Sequence, residues 1–192
     1  MIGLLGGSFD PIHHGHLIVA QVLQETLALD AVRLLPAREQ PFKLGRHAAS
    51  PEHRARMVEL AVAGAPGLSL ERCELDRAGP SYTVDTLRFL RSREPGSRFI
   101  LLVGADAARE LPQWREATAL PGLAEVVTFA RAGAEVPRQA ALVSRVVEVP
   151  ALAISATEIR RRVRDGLPIR YWVPEPVAEY IAAHGLYRSE DA

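Results

Sequence analysis

The sequence predicts an α/β fold, with an open, mostly parallel sheet that carries helices on both faces. Short apolar runs alternate along the chain with stretches of helical periodicity, which is the order that βαβ units produce. The run at residues 99–103 is apolar throughout, as expected for a central parallel strand covered on both faces. The first apolar run ends in a glycine-rich turn. In such folds ligands bind at the carboxyl ends of the strands.

The elements follow in chain order. Apolar runs predict strands at residues 2–5, 32–36, 68–70, 99–103, 125–130 and 145–149. Amphipathic spacing predicts helices over 17–29, 51–63, 82–93, 155–164 and 174–184. Ser50 before Pro51, and Ser155 three residues before Glu158, are typical of helix N-termini. The last two helices form a small helical C-terminal part, and we expect a single domain over residues 1–192.

Composition argues against several classes of protein. The 192 residues carry 23 Lys+Arg and 23 Asp+Glu, whereas proteins that bind nucleic acid generally show a basic excess. Cys73 is the only cysteine, so no intramolecular disulfide can form. No apolar run approaches the roughly 20 residues that span a membrane, and the N-terminus lacks the basic start of a signal peptide. We therefore expect a cytoplasmic protein that binds neither nucleic acid nor membrane.

The turn at residues 6–16 reads GGSFDPIHHGH and joins the first predicted strand to the first predicted helix. Gly6, Gly7 and Gly15 would let the backbone approach a phosphate closely. His13 and His16 can donate hydrogen bonds to phosphate oxygens, and the helix N-terminus adds partial positive charge. The turn therefore predicts a polyphosphate site.

Three other interpretations of this turn remain open. The imidazoles of His13, His14 and His16 could hold zinc, although their spacing is not that of a helical zinc motif and no partner motif follows. A dinucleotide-binding oxidoreductase would need a Gly-x-Gly-x-x-Gly pattern, which the turn lacks. The turn could also be purely structural. We predict no metal held by protein ligands.

A second motif, ISATEIR at residues 154–160, stands at the start of a predicted helix. Ser155 and Glu158 alone would make a capping box, which is a sufficient structural explanation. The same helix start also offers free backbone N–H groups and the hydroxyls of Ser155 and Thr157 to an anion. We place Arg160 on a phosphate and expect the other arginines of this helix, at 161, 162 and 164, to face solvent.

Together these motifs resemble the nucleotidylyltransferase superfamily, which is similar in fold to class I aminoacyl-tRNA synthetases. Within it, residues 6–16, 80–87, 104–114 and 173–187 resemble the nicotinate mononucleotide adenylyltransferase family, in order and over almost the whole chain. One departure is visible. The family usually has Pro-His-Lys after the second strand, whereas this chain has Pro41-Phe42-Lys43, which contains its only lysine.

The resemblance implies a reaction in NAD biosynthesis that joins ATP and nicotinate mononucleotide and releases pyrophosphate, with Mg²⁺ bridging the ATP phosphates. It implies that Trp114 stacks on the nicotinate ring and that Asp106 accepts the ribose hydroxyl protons. The implied catalytic residues are His13, His16 and Arg160. The implied ATP-binding residues are Gly6, Gly7, Ser8, Phe9, Gly15, Lys43, Gly104, Asp106, Ser155 and Thr157, and the implied substrate-binding residues are Tyr82, Thr83, Trp114 and Arg131.

Other functions stay open at this point. A sibling transferase could use nicotinamide mononucleotide or phosphopantetheine as the acceptor, and the first differs from nicotinate mononucleotide only in an amide. A nucleotide-binding regulator without turnover would belong to a different class, although the intact His13, His16 and Arg160 argue against it. An RNA-binding synthetase relative is disfavoured by the neutral charge. The sequence does not decide whether the chain forms a homo-oligomer.

Overall fold

A parallel β-sheet forms the centre of the molecule. The computed structural model describes residues 1–39, 47–131, 133 and 142–188. In that part of the chain six strands form one sheet in the order β3-β2-β1-β4-β5-β6, and all their pairings are parallel. The strands are β1 (Ile2–Gly7), β2 (Ala31–Pro36), β3 (Leu68–Leu70), β4 (Phe99–Gly104), β5 (Glu125–Arg131) and β6 (Arg145–Val149). The predicted fold class is confirmed.

Helices connect the first five strands and cover both faces of the sheet. They are α1 (His14–Thr26), α2 (Pro51–Val62), α3 (Thr83–Arg93), α4 (Ala105–Glu110), α5 (Leu120–Leu123), α6 (Ala156–Arg164) and α7 (Glu175–Ala183), with short 3₁₀ turns at Leu111–Gln113 and Ala117–Ala119. The predicted start of α1 at residue 17 was wrong, because the apolar spacing begins only after the polar His14-Gly15-His16. The sequence prediction missed α4 and α5, which are too short to show a helical period.

The sheet separates two apolar clusters, because successive β4 side chains point to opposite faces. Ile100 and Leu102 pack with α1, α2, α6 and α7. Leu101 and Val103 pack with α3, α4 and α5. The C-terminal helices α6 and α7 therefore share one core with α1 and α2. Among the described residues no helix is both long and apolar enough to cross a bilayer.

The strand order reverses at β1, which pairs with β2 on one side and β4 on the other. The turn after β1 leads to α1, and the chain after β4 leads directly into α4. In an open α/β sheet the crevice at such a reversal is the usual ligand site. The topology therefore brings the histidine turn and the end of β4 to one edge of the sheet.

Candidate active site

The histidine turn is built around two stacked imidazoles. His13 is the N-cap residue of α1, and its ring lies 3.7 Å from that of His16, centroid to centroid, with 19° between the planes. The ring of Phe9 meets His16 edge-on at 5.0 Å. Phe9 has a φ of 48°, in the left-handed region that non-glycine residues rarely adopt. The surrounding structure must therefore hold this turn in place.

The glycines of the turn make room for these rings. A Cβ at Gly7 would lie 2.9 Å from the Phe9 ring, and one at Gly15 would lie 3.0 Å from the His13 ring. The corresponding position at Gly6 is open, with nothing within 4 Å. Gly7 and Gly15 thus have a packing role beside any contact with phosphate, whereas Gly6 leaves space above the end of β1.

Both imidazoles favour the neutral form. Burial lowers the pKa of His13 to about 4 and the pKa of His16 to about 3, because charged groups lose solvation inside the protein. In each ring the buried Nδ1 has no hydrogen-bond partner among the described residues. A neutral imidazole carries a single N–H, so a ring whose Nδ1 has no partner can carry that N–H on Nε2.

Asp10 lies between Phe9 and His13 and connects the turn to distant parts of the chain. Its buried carboxylate accepts hydrogen bonds from Ala48 N at 2.7 Å, Ala49 N at 3.2 Å and the Tyr187 hydroxyl at 2.7 Å. Its carbonyl oxygen accepts a bond from Arg160 Nη1 at 2.7 Å. The sequence alone predicted no role for Asp10 or Tyr187.

Arg54 of α2 is fully buried beneath the same turn. Its guanidinium donates to the carbonyl oxygens of Ser8, Ala37, Arg38 and Ala49, at 2.7 to 3.3 Å. Burial lowers the pKa of Arg54, although Asp10 nearby opposes this effect. No sequence signal separates this arginine from the solvent-facing arginines of an ordinary helix, so the sequence predicted no role for it.

The start of α6 lies against the histidine turn. The Ser155 hydroxyl caps the helix by accepting a hydrogen bond from Glu158 N at 3.2 Å. Arg160 reaches Asp10, which is 150 residues away in sequence, and its Nη2 lies 3.4 Å from Thr157 Oγ1. Arg161 instead pairs with Glu158 and Asp165 on the outer face. The fold thus brings the two sequence motifs together and directs one arginine of α6 to the turn.

A cleft of about 470 Å³ opens beside the turn, between β1, β4 and α3. Gly6 and Gly7 line one end, and Tyr82, Thr83 and Trp114 line another part of its wall. Gly104 and Arg115 also line it. Arg115, for which the sequence predicted no role, lies over the Tyr82 ring at 4.9 Å and pairs with Asp85 at 3.2 Å.

One wall of the cleft contains a buried acid, Glu74. Its Oε1 accepts a hydrogen bond from the Thr86 hydroxyl at 2.8 Å, and that hydroxyl accepts one from Arg77 at 2.9 Å. Burial raises the pKa of Glu74, and the hydrogen bond from Thr86 and the charge of Arg77 partly oppose it. This carboxyl was also missed, because a single acidic residue in a loop carries no sequence signal.

Some expected site residues lie elsewhere. The Asp106 side chain is 98% exposed and pairs with Arg109 at 2.6 Å. Arg131 is exposed at the end of β5, and neither residue lines the cleft. Lys43 and the neighbouring Phe42 lie outside the described residues. Within the described ranges no group of three or more His, Cys, Asp or Glu side chains is placed to hold a metal ion.

Comparison with known proteins gives a family model and full-length relatives that share one name. A family model described as cytidylyltransferase-like matches residues 4–162. The chain is 47% identical to a Roseiflexus protein named "Probable nicotinate-nucleotide adenylyltransferase", over 97% of this chain and 98% of that protein. A Thermus thermophilus protein of the same name is 48% identical, over 97% of this chain and 99% of the relative.

Solved structures show the same fold. One is described as "Plasmodium falciparum nicotinic acid mononucleotide adenylyltransferase complexed with NaAD". It superposes with a TM-score of 0.78 at 20% sequence identity, over 97% of this chain and 96% of the other. At this identity the likeness supports the fold alone.

Proposed function

Because the chain belongs to the cytidylyltransferase-like family, we propose that its histidine turn and cleft join ATP to nicotinate mononucleotide. The reaction is that of a nicotinate-nucleotide adenylyltransferase, a nucleotidyl transfer in NAD biosynthesis, as the names of its full-length relatives indicate. One observation supports this site most strongly. The cleft with Tyr82, Thr83 and Trp114 begins at Gly6 and Gly7, the residues that lead into the histidine turn.

The chemistry needs little from the protein beyond position and charge. The 5′-phosphate of the acceptor is already anionic near neutral pH, so it can attack the α-phosphorus of ATP without a strong general base. A bond forms between the acceptor oxygen and the α-phosphorus, and the bond from that phosphorus to the bridging oxygen breaks. Pyrophosphate leaves with the electron pair. In such transfers, catalysis comes from in-line positioning and from stabilising the developing charge.

The stacked histidines provide hydrogen-bond donors at the α-phosphate. Each neutral ring carries one N–H, and we assign His16 to the oxygen on which charge develops and His13 to the neighbouring phosphate oxygens. Because the two imidazoles are neutral, the protein does not bear the cost of burying a free charge at this site. Because Nδ1 is buried without a partner in both rings, we assign the donating N–H of each ring to Nε2.

Arg160 would bind the β- and γ-phosphates that leave as pyrophosphate. It already lies at the turn through its bond to the Asp10 carbonyl, and a guanidinium can hold two phosphate oxygens at once. Ser155 and Thr157 stand at the same helix start, where backbone N–H groups favour an anion. We further assign Lys43 to a phosphate as a point charge, on the family resemblance alone.

The cleft would bind the nicotinate half. Trp114 offers an indole face to the pyridinium ring, an arrangement favoured by the positive charge of the ring. Helix α3 begins beside it, and its N-cap residue Tyr82 makes no side-chain capping bond. Backbone N–H groups of the first turn, at Thr83 and beyond, would then receive the nicotinate carboxylate. This recognition favours the acid over the amide, because the amide carries no negative charge.

The adenosine half would lie above the ends of β1 and β4. Gly6 leaves open space there, and Gly104 lines the cleft. Ser8 and Phe9 belong to the same turn, and the Phe9 ring packs edge-on against the His16 ring. For Asp106 to reach the ribose its side chain would have to leave Arg109. Arg131 remains a proposed substrate residue on the resemblance alone.

Mg²⁺ completes the proposal. We infer that it is held mainly by the ATP phosphates and water, since the described residues contain no cluster of three metal-ligating side chains. When bound, it neutralises phosphate charge. We further propose that the chain acts as a single domain in the cytoplasm on small-molecule substrates, without a nucleic acid partner.

The test is a comparison of acceptors. Pyrophosphate release from ATP is measured with Mg²⁺ and with nicotinate mononucleotide, nicotinamide mononucleotide or phosphopantetheine. Release with the acid alone, abolished by a chelator of divalent cations, supports the whole proposal. Equal rates with acid and amide would contradict the carboxylate recognition at α3, and release only with phosphopantetheine would contradict the assignment of the acceptor.

A further inference from the structure

Tyr187 lies far from both substrate regions in sequence, yet its hydroxyl ends on the histidine turn. We propose that Tyr187 is a positioning residue, which fixes the phosphate-binding turn and Arg160 through its hydrogen bond to Asp10. The inference rests on the proposed function, because it concerns the rate of that reaction. Tyr187 would act only through Asp10, so it is not itself a catalytic residue.

The turn needs an external support. Phe9, with its left-handed φ of 48°, stands between Gly7 and Asp10, and such a conformation persists only where the surroundings impose it. Arg54 holds the turn at the Ser8 carbonyl. The Asp10 carboxylate holds it from the other side, through Ala48 N, Ala49 N and the Tyr187 hydroxyl. The backbone at Asp10 is therefore fixed by its own side chain.

Two phosphate-binding groups depend on that backbone position. The Asp10 carbonyl accepts the hydrogen bond from Arg160 Nη1 at 2.7 Å. His13 follows three residues later and stacks on His16. A shift of Asp10 would therefore move Arg160 and the imidazole pair relative to each other. Displacements of about 1 Å in a reactive arrangement can reduce rates by about 100-fold.

The hydroxyl of Tyr187 provides the hydrogen bond to Asp10, whereas its ring alone fills the space in the core. Tyr187 is 3% exposed and belongs to the same core as Val177 and Ile181 of α7, so phenylalanine would fill the same space. Without the hydroxyl, Asp10 Oδ1 would keep only the 3.2 Å bond from Ala49 N. A buried carboxylate that loses a strong donor is expected to move.

The test compares two tyrosine hydroxyls from the same end of the chain. Tyr187→Phe removes the bond to Asp10. Tyr180→Phe is the matched control, because it removes a hydroxyl of α7 that is hydrogen-bonded to His53 Nδ1 at 2.9 Å, away from Asp10. Both variants are assayed for dinucleotide formation well below their melting temperatures, after circular dichroism has established that they are folded.

We expect Tyr187→Phe to lower kcat about tenfold, with both KM values changed less than about twofold, since misplaced groups cost most in the transition state. Tyr180→Phe should lower the melting temperature and leave kcat unchanged. Equal kcat values for Tyr187→Phe and wild type would overturn the inference, as would equal losses in the two variants. A wild type that forms no dinucleotide would instead overturn the proposed function, and the inference with it.

A double variant separates positioning from general destabilisation. If Tyr187 acts through Asp10 on Arg160, then Tyr187→Phe in an Arg160→Ala background should reduce kcat by much less than the roughly tenfold effect in wild type, because coupled groups are not additive. An undiminished tenfold loss in that background would show that Tyr187 acts independently of Arg160, and would overturn the part of the proposal that concerns Arg160.

Discussion

The two halves of the candidate site are built in different ways. At the phosphate end, Asp10, His13 and Arg54 are buried side chains, and Asp10 and Arg54 are bound largely to backbone groups. At the acceptor end, the cleft of about 470 Å³ has mostly apolar walls such as Leu101 and Val103, with polar side chains such as Glu74 and Arg115 among them.

This difference separates the chemistry from the choice of substrate. A rigid, hydrogen-bonded turn keeps fixed geometry around phosphates that every nucleotidyl transfer shares. An apolar cleft is shaped by packing, and a change of one or two side chains can reshape it without disturbing the turn. We therefore expect substitutions at the phosphate end to reduce kcat, and substitutions in the cleft to change KM for the acceptor.

His16→Ala should give the largest loss. Removing a donor from developing charge in a buried site typically costs about 100- to 1,000-fold in kcat, and we expect the upper part of that range. His14→Ala is the matched control from the same turn, because the bond from His14 N to the Trp172 carbonyl is a backbone bond that alanine retains. The steady-state kcat of both variants is measured, and similar losses would remove the special role of His16.

Arg160→Ala should reduce kcat by about 100-fold, since a charged hydrogen bond contributes up to about 3 kcal/mol. Arg160→Lys should recover only part of this, because lysine cannot bind two oxygens in the same plane. Arg161→Ala, on the outer face of the same helix, should match wild type. A loss of kcat in Arg161→Ala as large as that in Arg160→Ala would mean that α6 acts through its overall charge.

Trp114→Ala should act on the other half of the comparison. We expect KM for nicotinate mononucleotide to rise about tenfold, from loss of stacking on the positively charged ring, with KM for ATP unchanged. Phe89→Ala is the control, because Phe89 is an exposed aromatic residue on α3 that does not line the cleft. A fall in kcat with unchanged KM would contradict the division between the two halves.

Local patterns in the sequence explain which features could be predicted. The strands and the longer helices follow from apolar periodicity, and the two motifs follow from local patterns of Gly, His, Ser and Arg. The structure confirmed the fold and brought residues 6–16 and 154–160 together. The roles of the individual residues remain predictions.

Other features depend on contacts that no local pattern records. Arg54 is buried beneath four carbonyls, and Tyr187 reaches Asp10 across 177 residues. Both look like ordinary surface or core residues in the sequence. Asp106 stays a predicted ribose contact from the family resemblance, and in the structure its side chain lies in solvent and pairs with Arg109. Packing decides these positions, and packing is a property of the whole fold.

The last prediction concerns stability, and the effect of pH should have opposite signs in the two halves. The depressed pKa values of His13 and His16 mean that below pH 6.5 the unfolded chain takes up protons that the folded chain refuses. The free energy of unfolding therefore falls as pH falls, by about 1.4 kcal/mol per pH unit for each histidine. The raised pKa of Glu74 acts the other way, because above pH 4.5 the unfolded chain releases a proton that the folded chain keeps.

Urea unfolding at about pH 5 and about pH 6.5 measures both contributions. From the lower to the higher pH, the free energy of unfolding should rise by about 2 kcal/mol less in His16→Gln than in wild type. The reason is that the variant lacks one histidine with a lowered pKa. Glu74→Gln should gain more than wild type, because the opposing group is gone. If both substitutions changed this rise in the free energy of unfolding in the same direction, burial would not have opposite effects on the buried groups of the two halves. Opposite changes would show that the phosphate end is built to exclude protons, whereas the cleft wall holds one.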